Sequence, residues 1–268
     1  MSIFQYPFIQ NALVAGSLVA LIAAVLGYFL ILRGLTFAGH ALSNIGFAGA
    51  AGAVLAGLHP IYGLLAFTLG AAATISLSGK GIRERDISTG VIMTFSLGLG
   101  VLFLSLYPGY AEQAYSILFG TIFGISQADV ALIAALSALL ILGLFFLGRP
   151  LFFSSFDPEV AEARGVPVKW IGVIFLLMVA ITVSVVMQVV GILLIFALLV
   201  GPPATAVRLA NRPWQTLGLA LLLGLAYTWA GIILAAVTSW PVGFFITALS
   251  FGVYLPVRLA PPLWRKRA

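Results

Sequence analysis

The sequence predicts an all-α fold, a polytopic transmembrane helix bundle of about nine spans. Three observations lead there. Charged residues make up 7% of the 268 positions, against roughly 25% in a soluble domain. Hydrophobic residues make up 62%, and the mean hydropathy is +1.19. Apolar stretches such as 131–147 are continuous rather than alternating, which suits lipid-embedded helices and not the strands of a membrane barrel. No water-facing surface can be built from so few charges. A helix needs about 20 apolar residues to cross ~30 Å of hydrocarbon, so the chain holds roughly eight or nine crossings and little else. Residues 1–268 therefore read as a single transmembrane domain.

The apolar runs and their breaks place spans near 8–32, 39–57, 61–78, 87–107, 128–147, 170–188, 191–207, 215–237 and 240–257. No basic region precedes the first run, since the first basic residue is Arg33; it reads as an uncleaved span rather than a signal peptide. The second is built largely of Gly and Ala, which permit close helix approach or leave room for a passage. The third follows a turn at His59-Pro60, and the fourth follows a loop carrying Lys80, Arg83 and Arg85. The run from Val168 to Val207 is about twice the length of one crossing. Gln188 and Gly191 are its expected interruption, dividing it into the sixth and seventh spans; one tilted helix plus a re-entrant piece is the alternative. Pro202 and Pro203 kink or end the seventh.

Charge supports nine spans. With the N-terminus outside, the basic residues fall in cytoplasmic loops: Arg33; Lys80, Arg83 and Arg85; Arg149, Arg164 and Lys169; Arg208 and Arg212; and Arg258, Arg265, Lys266 and Arg267. Glu112 and Asp129 fall outside. Eight spans would put Arg208, Arg212 and the basic tail on the wrong face. The formal net charge of +6 then reports orientation and attraction to anionic lipid headgroups, and the dispersed basic residues argue against nucleic acid.

Several chemistries are excluded. The chain has no cysteine, hence no disulfide, thiolate ligand or thiol nucleophile. Ser78-Gly79-Lys80-Gly81 lacks the spacing and final hydroxyl of a P-loop, so ATP would have to be hydrolysed on a separate chain. The acids lie in predicted loops, which leaves no intramembrane carboxylate pair for a proton relay or a hydrolase. The chain reads as a transport protein and not an enzyme.

The candidate site is Phe37-Ala38-Gly39-His40-Ala41-Leu42-Ser43-Asn44 at the start of the second span. His40 and Asn44 are four apart and face the same way on a helix, with Ser43 beside them. An imidazole nitrogen and an amide oxygen on a small-residue helix suit a borderline divalent cation; an interhelical hydrogen bond from His40 is the alternative. Asn11, Thr94, Ser96 and Gln188 either line a route or bond to neighbouring helices. Two longer loops stand out. One, Pro108–Gln127, has Tyr107, Tyr110 and Tyr115 at its interface as headgroup anchors or gating residues. The other, Gly148–Lys169, contains the pattern of a short capped helix over Pro158–Arg164, with Asp157 as N-cap, Pro158 at the first position, Glu159 in the first turn, Glu162 beyond it and Gly165 after the end. Such a rigid, charged helix makes a mechanical contact for another protein, or an ordinary interfacial surface helix.

Four stretches resemble the permease family of manganese, zinc and iron ABC importers, and the resemblance covers nearly the whole chain. They are Leu35–Asn44; Phe119–Ser126 with Asp129; Asp157–Val166; and Gln188–Leu194 followed by Ala197–Leu199 and Pro202–Ala206. The resemblance implies the permease subunit of an ATP-driven importer of a divalent metal ion in the bacterial inner membrane. It also implies a homodimer of this chain, a separate ABC ATPase that docks on Asp157, Pro158, Glu159, Glu162 and Gly165, and an extracytoplasmic metal-binding protein. No cofactor is expected in this chain. The family commonly has Asp at the position of His40 and His at that of Asn44, its presumed metal contacts. Nitrogen without a carboxylate favours zinc over manganese or iron. A permease for a metal chelate or vitamin, or an ATP-independent transporter or channel, is the alternative.

Overall fold

Proline and glycine set many of the helix ends. The computed structural model describes residues 5–78, 82–107, 120 and 122–260. Within them run ten α-helices: α1 (Pro7–Leu32), α2 (Thr36–Leu55), α3 (Pro60–Leu77), α4 (Ile82–Ser105), α5 (Gln127–Phe156), α6 (Pro158–Ala163), α7 (Val168–Val190), α8 (Ile192–Leu209), α9 (Pro213–Thr238) and α10 (Val242–Leu259). Helices α1, α3, α6 and α9 open on proline, whose fixed φ suits the first turn and whose missing N–H would have had no helical acceptor there. Before α5 lies a single 3-10 turn, Ile122–Gly124.

Apart from the short α6, these helices coincide with the nine expected spans. Seven are long and apolar enough to cross a membrane: α1, α3, α4, α5, α7, α9 and α10. Helix α2 carries His40, Ser43 and Asn44 among its small residues, and α8 counts only as a shorter apolar segment over Leu194–Leu209. Two boundaries differ from expectation. Helix α4 begins at Ile82, so Arg83, Glu84, Arg85 and Asp86 form its first turns rather than a loop. Helix α5 runs on to Phe156 through Pro150, where the hydroxyls of Ser154 and Ser155 both donate to the Leu151 carbonyl.

Burial separates a centre from a periphery. In α1 and α7, 67% and 72% of the apolar window is buried, against 22% in α4 and α5 and 17% in α10. Glycine decides how closely the helices approach. A side chain on Gly49 of α2 would strike the Gly63 carbonyl of α3, and one on Gly63 would strike the Gly49 carbonyl. At the crossing of α1 and α8, Gly27 faces the Leu199 carbonyl. Pro203 has no N–H to offer that carbonyl, so the close approach places α1 against a stretch of α8 that lacks a helical hydrogen bond.

The interruption between α7 and α8 falls on Gly191, at φ 79° and ψ 168°, a conformation open essentially to glycine alone. Met187, just before it, lies against Gly46 in the middle of α2, while Phe196, just after it, lies against His40 in the second turn of α2. The chain thus turns back beside the middle of α2. The side chain of Gln188, expected at this break, lies outside the described residues, as do Lys80, Pro108–Phe119 with Tyr110, Glu112 and Tyr115, and the basic tail from Pro261.

Candidate functional site

Helix α2 brings His40 and Asn44 together as their spacing predicts. The Asn44 Nδ2 donates to the His40 carbonyl at 3.0 Å and lies 3.2 Å from His40 Nε2. A carbonyl can only accept, so the amide nitrogen must face it, and Nε2 then accepts the second amide hydrogen. The Asn44 oxygen is turned away from both. Nδ1 of His40 is buried and has no hydrogen-bond partner among the described residues. Among the described residues the side-chain bond of His40 is to Asn44 within its own helix, and not the interhelical bond that stood as the alternative. Ser43 is fully buried and donates to the Gly39 carbonyl, which removes it from the His40 face. Among the described residues no group of three or more His, Asp or Glu side chains is placed to hold a metal ion. One chain supplies one neutral nitrogen and one amide oxygen.

Across from this pair the Phe196 ring of α8 packs on the imidazole, with centroids 4.5 Å apart and planes tilted by 58°. Phe196 also lines a cavity of about 1540 Å³ between the start of α1, the 3-10 turn, α8, and the α9–α10 turn. The wall there is mainly apolar and aromatic, with Tyr6, Phe8, Phe123 and Trp240 towards one end. His40 and Asn44 are not in it.

At the other end of the bundle, α6 is capped as expected: Asp157 accepts from the Val160 amide at 3.0 Å, Pro158 opens the helix and Gly165 leaves it at φ 80°. The helix closes at Ala163, with Arg164 as its cap residue. Ala161 is fully buried, while Glu159 and Glu162 are exposed. One small apolar residue anchors a ledge whose acids face outward. Behind the ledge, Arg33 donates to the hydroxyls of Ser154 at 2.9 Å and Ser155 at 3.4 Å, and its guanidinium lies 6.0 Å from the Phe175 ring centre.

Comparison with known proteins fixes the family. Residues 5–260 match the ABC 3 transport family. The chain is 34% identical over 233 residues to the manganese transport system membrane protein MntC of Halalkalibacterium halodurans, covering 86% of this chain and 79% of that protein. It is 30% identical over 263 residues to the manganese import system permease protein ScaB of Streptococcus parasanguinis, covering 98% and 94%. PsaBC from Streptococcus pneumoniae, solved in complex with Fab, superposes with a TM-score of 0.84 at 28% identity, over 96% of this chain and 93% of that one.

The chain belongs to the ABC 3 transport family. It is a multi-pass permease subunit and not a catalyst. Several polar residues of this permease have hydrogen-bond partners within the chain. Asn11 donates to the Ile125 carbonyl at 3.1 Å and pins the segment before α5 to α1, while Thr94 bonds back to Gly90 of its own helix. Asp129 and Ser126 form a reciprocal cap on α5. His59 is the exposed N-cap residue of α3, preceding Pro60. Two residues that sequence reasoning passed over gain a place: Phe196, one apolar residue in a long apolar run, and Arg33, read only as a topology marker.

Proposed function

We propose that this permease moves a divalent metal ion across the bacterial plasma membrane, with zinc preferred to manganese or iron. The observation that carries the reading is the His40–Asn44 pair, a nitrogen and an amide oxygen on one face of the small-residue helix α2. Two copies of the chain about a central pathway would offer a doubled set of neutral donors, a sparse site that binds weakly enough to release its cargo. To engage Nε2 an ion must displace the Asn44 amide. The relatives are named for manganese, a harder ion that favours carboxylates; His40 in place of the family's usual Asp shifts the donor set towards zinc.

In this reading the exposed Glu159–Glu162 ledge receives a separate ABC ATPase, an extracytoplasmic protein delivers the ion, and the functional unit is a homodimer. The N-terminus lies outside and the C-terminus in the cytoplasm, because that arrangement gathers the basic residues on one side. The test is cargo choice. In proteoliposomes containing the complex, the wild type should take up zinc in preference to manganese, and His40→Asp should raise the manganese-to-zinc ratio by about tenfold. An unchanged ratio would contradict the assignment of His40 as a ligand.

A further inference from the structure

We propose that Phe196 is the barrier residue between the large cavity and the His40–Asn44 pair. The inference deepens the transport reading by naming the side chain an ion must pass to reach, or leave, the pair. Phe196 belongs to both places: its ring contacts the His40 imidazole, and the residue also lines the cavity, whereas His40 and Asn44 do not. The other wall residues from the end of α7 and from α8 beside it, Val190, Leu194, Ala197 and Val200, are apolar, while the hydroxyls of Ser239, Thr247, Ser250 and Tyr254 come from the α9–α10 turn and α10. A narrow passage walled by apolar groups excludes water and ions until it widens.

The local backbone suits such a part. Phe196 lies in the second turn of α8, just after Gly191, the point at which the chain reverses with a glycine-only conformation. It is half-buried rather than locked in the core. A phenyl ring has two rotatable side-chain bonds, so a swing about them, or a small tilt of the first turns of α8 about Gly191, uncovers the imidazole without unravelling the helix. Met187, on the other side of Gly191, packs against Gly46 and holds the end of α7 fixed while α8 moves.

The chain contains no cysteine, so an introduced thiol is the only one it carries. Asn44→Cys is placed in the full-length permease, assembled with its ATPase in membranes, and treated with a small membrane-impermeant methanethiosulfonate. The reagent is added on the face where Ser239→Cys, in the exposed α9–α10 turn at the cavity's end, reacts. With Phe196 present, Asn44→Cys should react slowly. Adding Phe196→Ala should speed the reaction by about tenfold or more, Phe196→Leu should give an intermediate rate, and Phe196→Trp should leave it slow. An Asn44→Cys rate that is the same with Phe, Leu and Ala at 196 would overturn the proposal, as would a rate matching that of Ser239→Cys while Phe196 is intact. Labelling needs no metal. If the labelling pattern holds while His40→Ala leaves zinc uptake intact, the barrier stands and the metal assignment falls.

Discussion

The guanidinium of Arg33 donates to the hydroxyl of Ser154 at 2.9 Å, joining two residues 121 apart in the chain. Arg33 is the cap residue of α1, just before α2, the helix that carries His40. Ser154 lies in the last turn of α5, immediately before Asp157 and the α6 ledge. The same guanidinium sits over Phe175 of α7, the helix on the other side of α6. One side chain thus clamps both helices that flank the ledge to the turn that leads into the candidate site.

Arg33→Ala removes a charged donor from two hydroxyls and a cation from a ring face. The expected loss is on the order of 1–2 kcal/mol, since each serine keeps its bond to Leu151. Thermal unfolding of the purified protein measures it. Transport per ATP hydrolysed should fall further than stability does, and Arg33→Lys should recover only part, because a lysine lacks the planar fork. An alanine variant with wild-type transport and midpoint would show the clamp to be idle.

The crossing of α2 and α3 should be intolerant of side chains. Gly49→Leu sets a side chain against the Gly63 carbonyl and should prevent recovery of folded protein, measured by size-exclusion chromatography in detergent. Gly70→Ala, in the same α3 but with open space around it, should be neutral or stabilising by about 0.5–1 kcal/mol.

If the α6 ledge receives the ATPase, reversing both exposed acids with Glu159→Lys and Glu162→Lys should leave the bundle folded. ATP hydrolysis should then continue while uptake falls by about tenfold or more, because rim charges set docking rather than fold. Asp157→Ala removes the cap bond to Val160 and should cost about 1 kcal/mol of local helix stability. Full transport by the double variant would place the docking surface elsewhere.

Much of this architecture is legible from local signals. Continuous apolar runs mark the spans, and the Asp157-Pro158 cap and Gly165 exit mark α6, because caps and periodicity act within a few residues. The charged start of α4 was hidden: Arg83, Glu84, Arg85 and Asp86 look like a loop, yet at the end of a membrane helix they lie where charges are tolerated. The expected span ends near Leu147, yet α5 continues through Pro150 to Phe156, because a membrane helix can continue past proline when neighbouring hydroxyls and helices compensate. At the site, the His40–Asn44 pair followed from four-residue spacing. The ring of Phe196 on His40 and the bonds from Arg33 to Ser154 and Ser155 could not follow from spacing, because they join distant segments whose approach depends on the turn at Gly191 and the path of α5.

Uptake of zinc by the reconstituted complex carrying His40→Ala bears most directly on the whole account. The variant should express, assemble and hydrolyse ATP at close to the basal rate, because His40 is half-buried and, among the described residues, its side chain is bonded to Asn44 of its own helix alone. Zinc uptake should fall to the level of liposomes without protein. Zinc transport by His40→Ala at the wild-type rate would contradict the account, leaving His40 a packing residue and the ion's path elsewhere in the bundle.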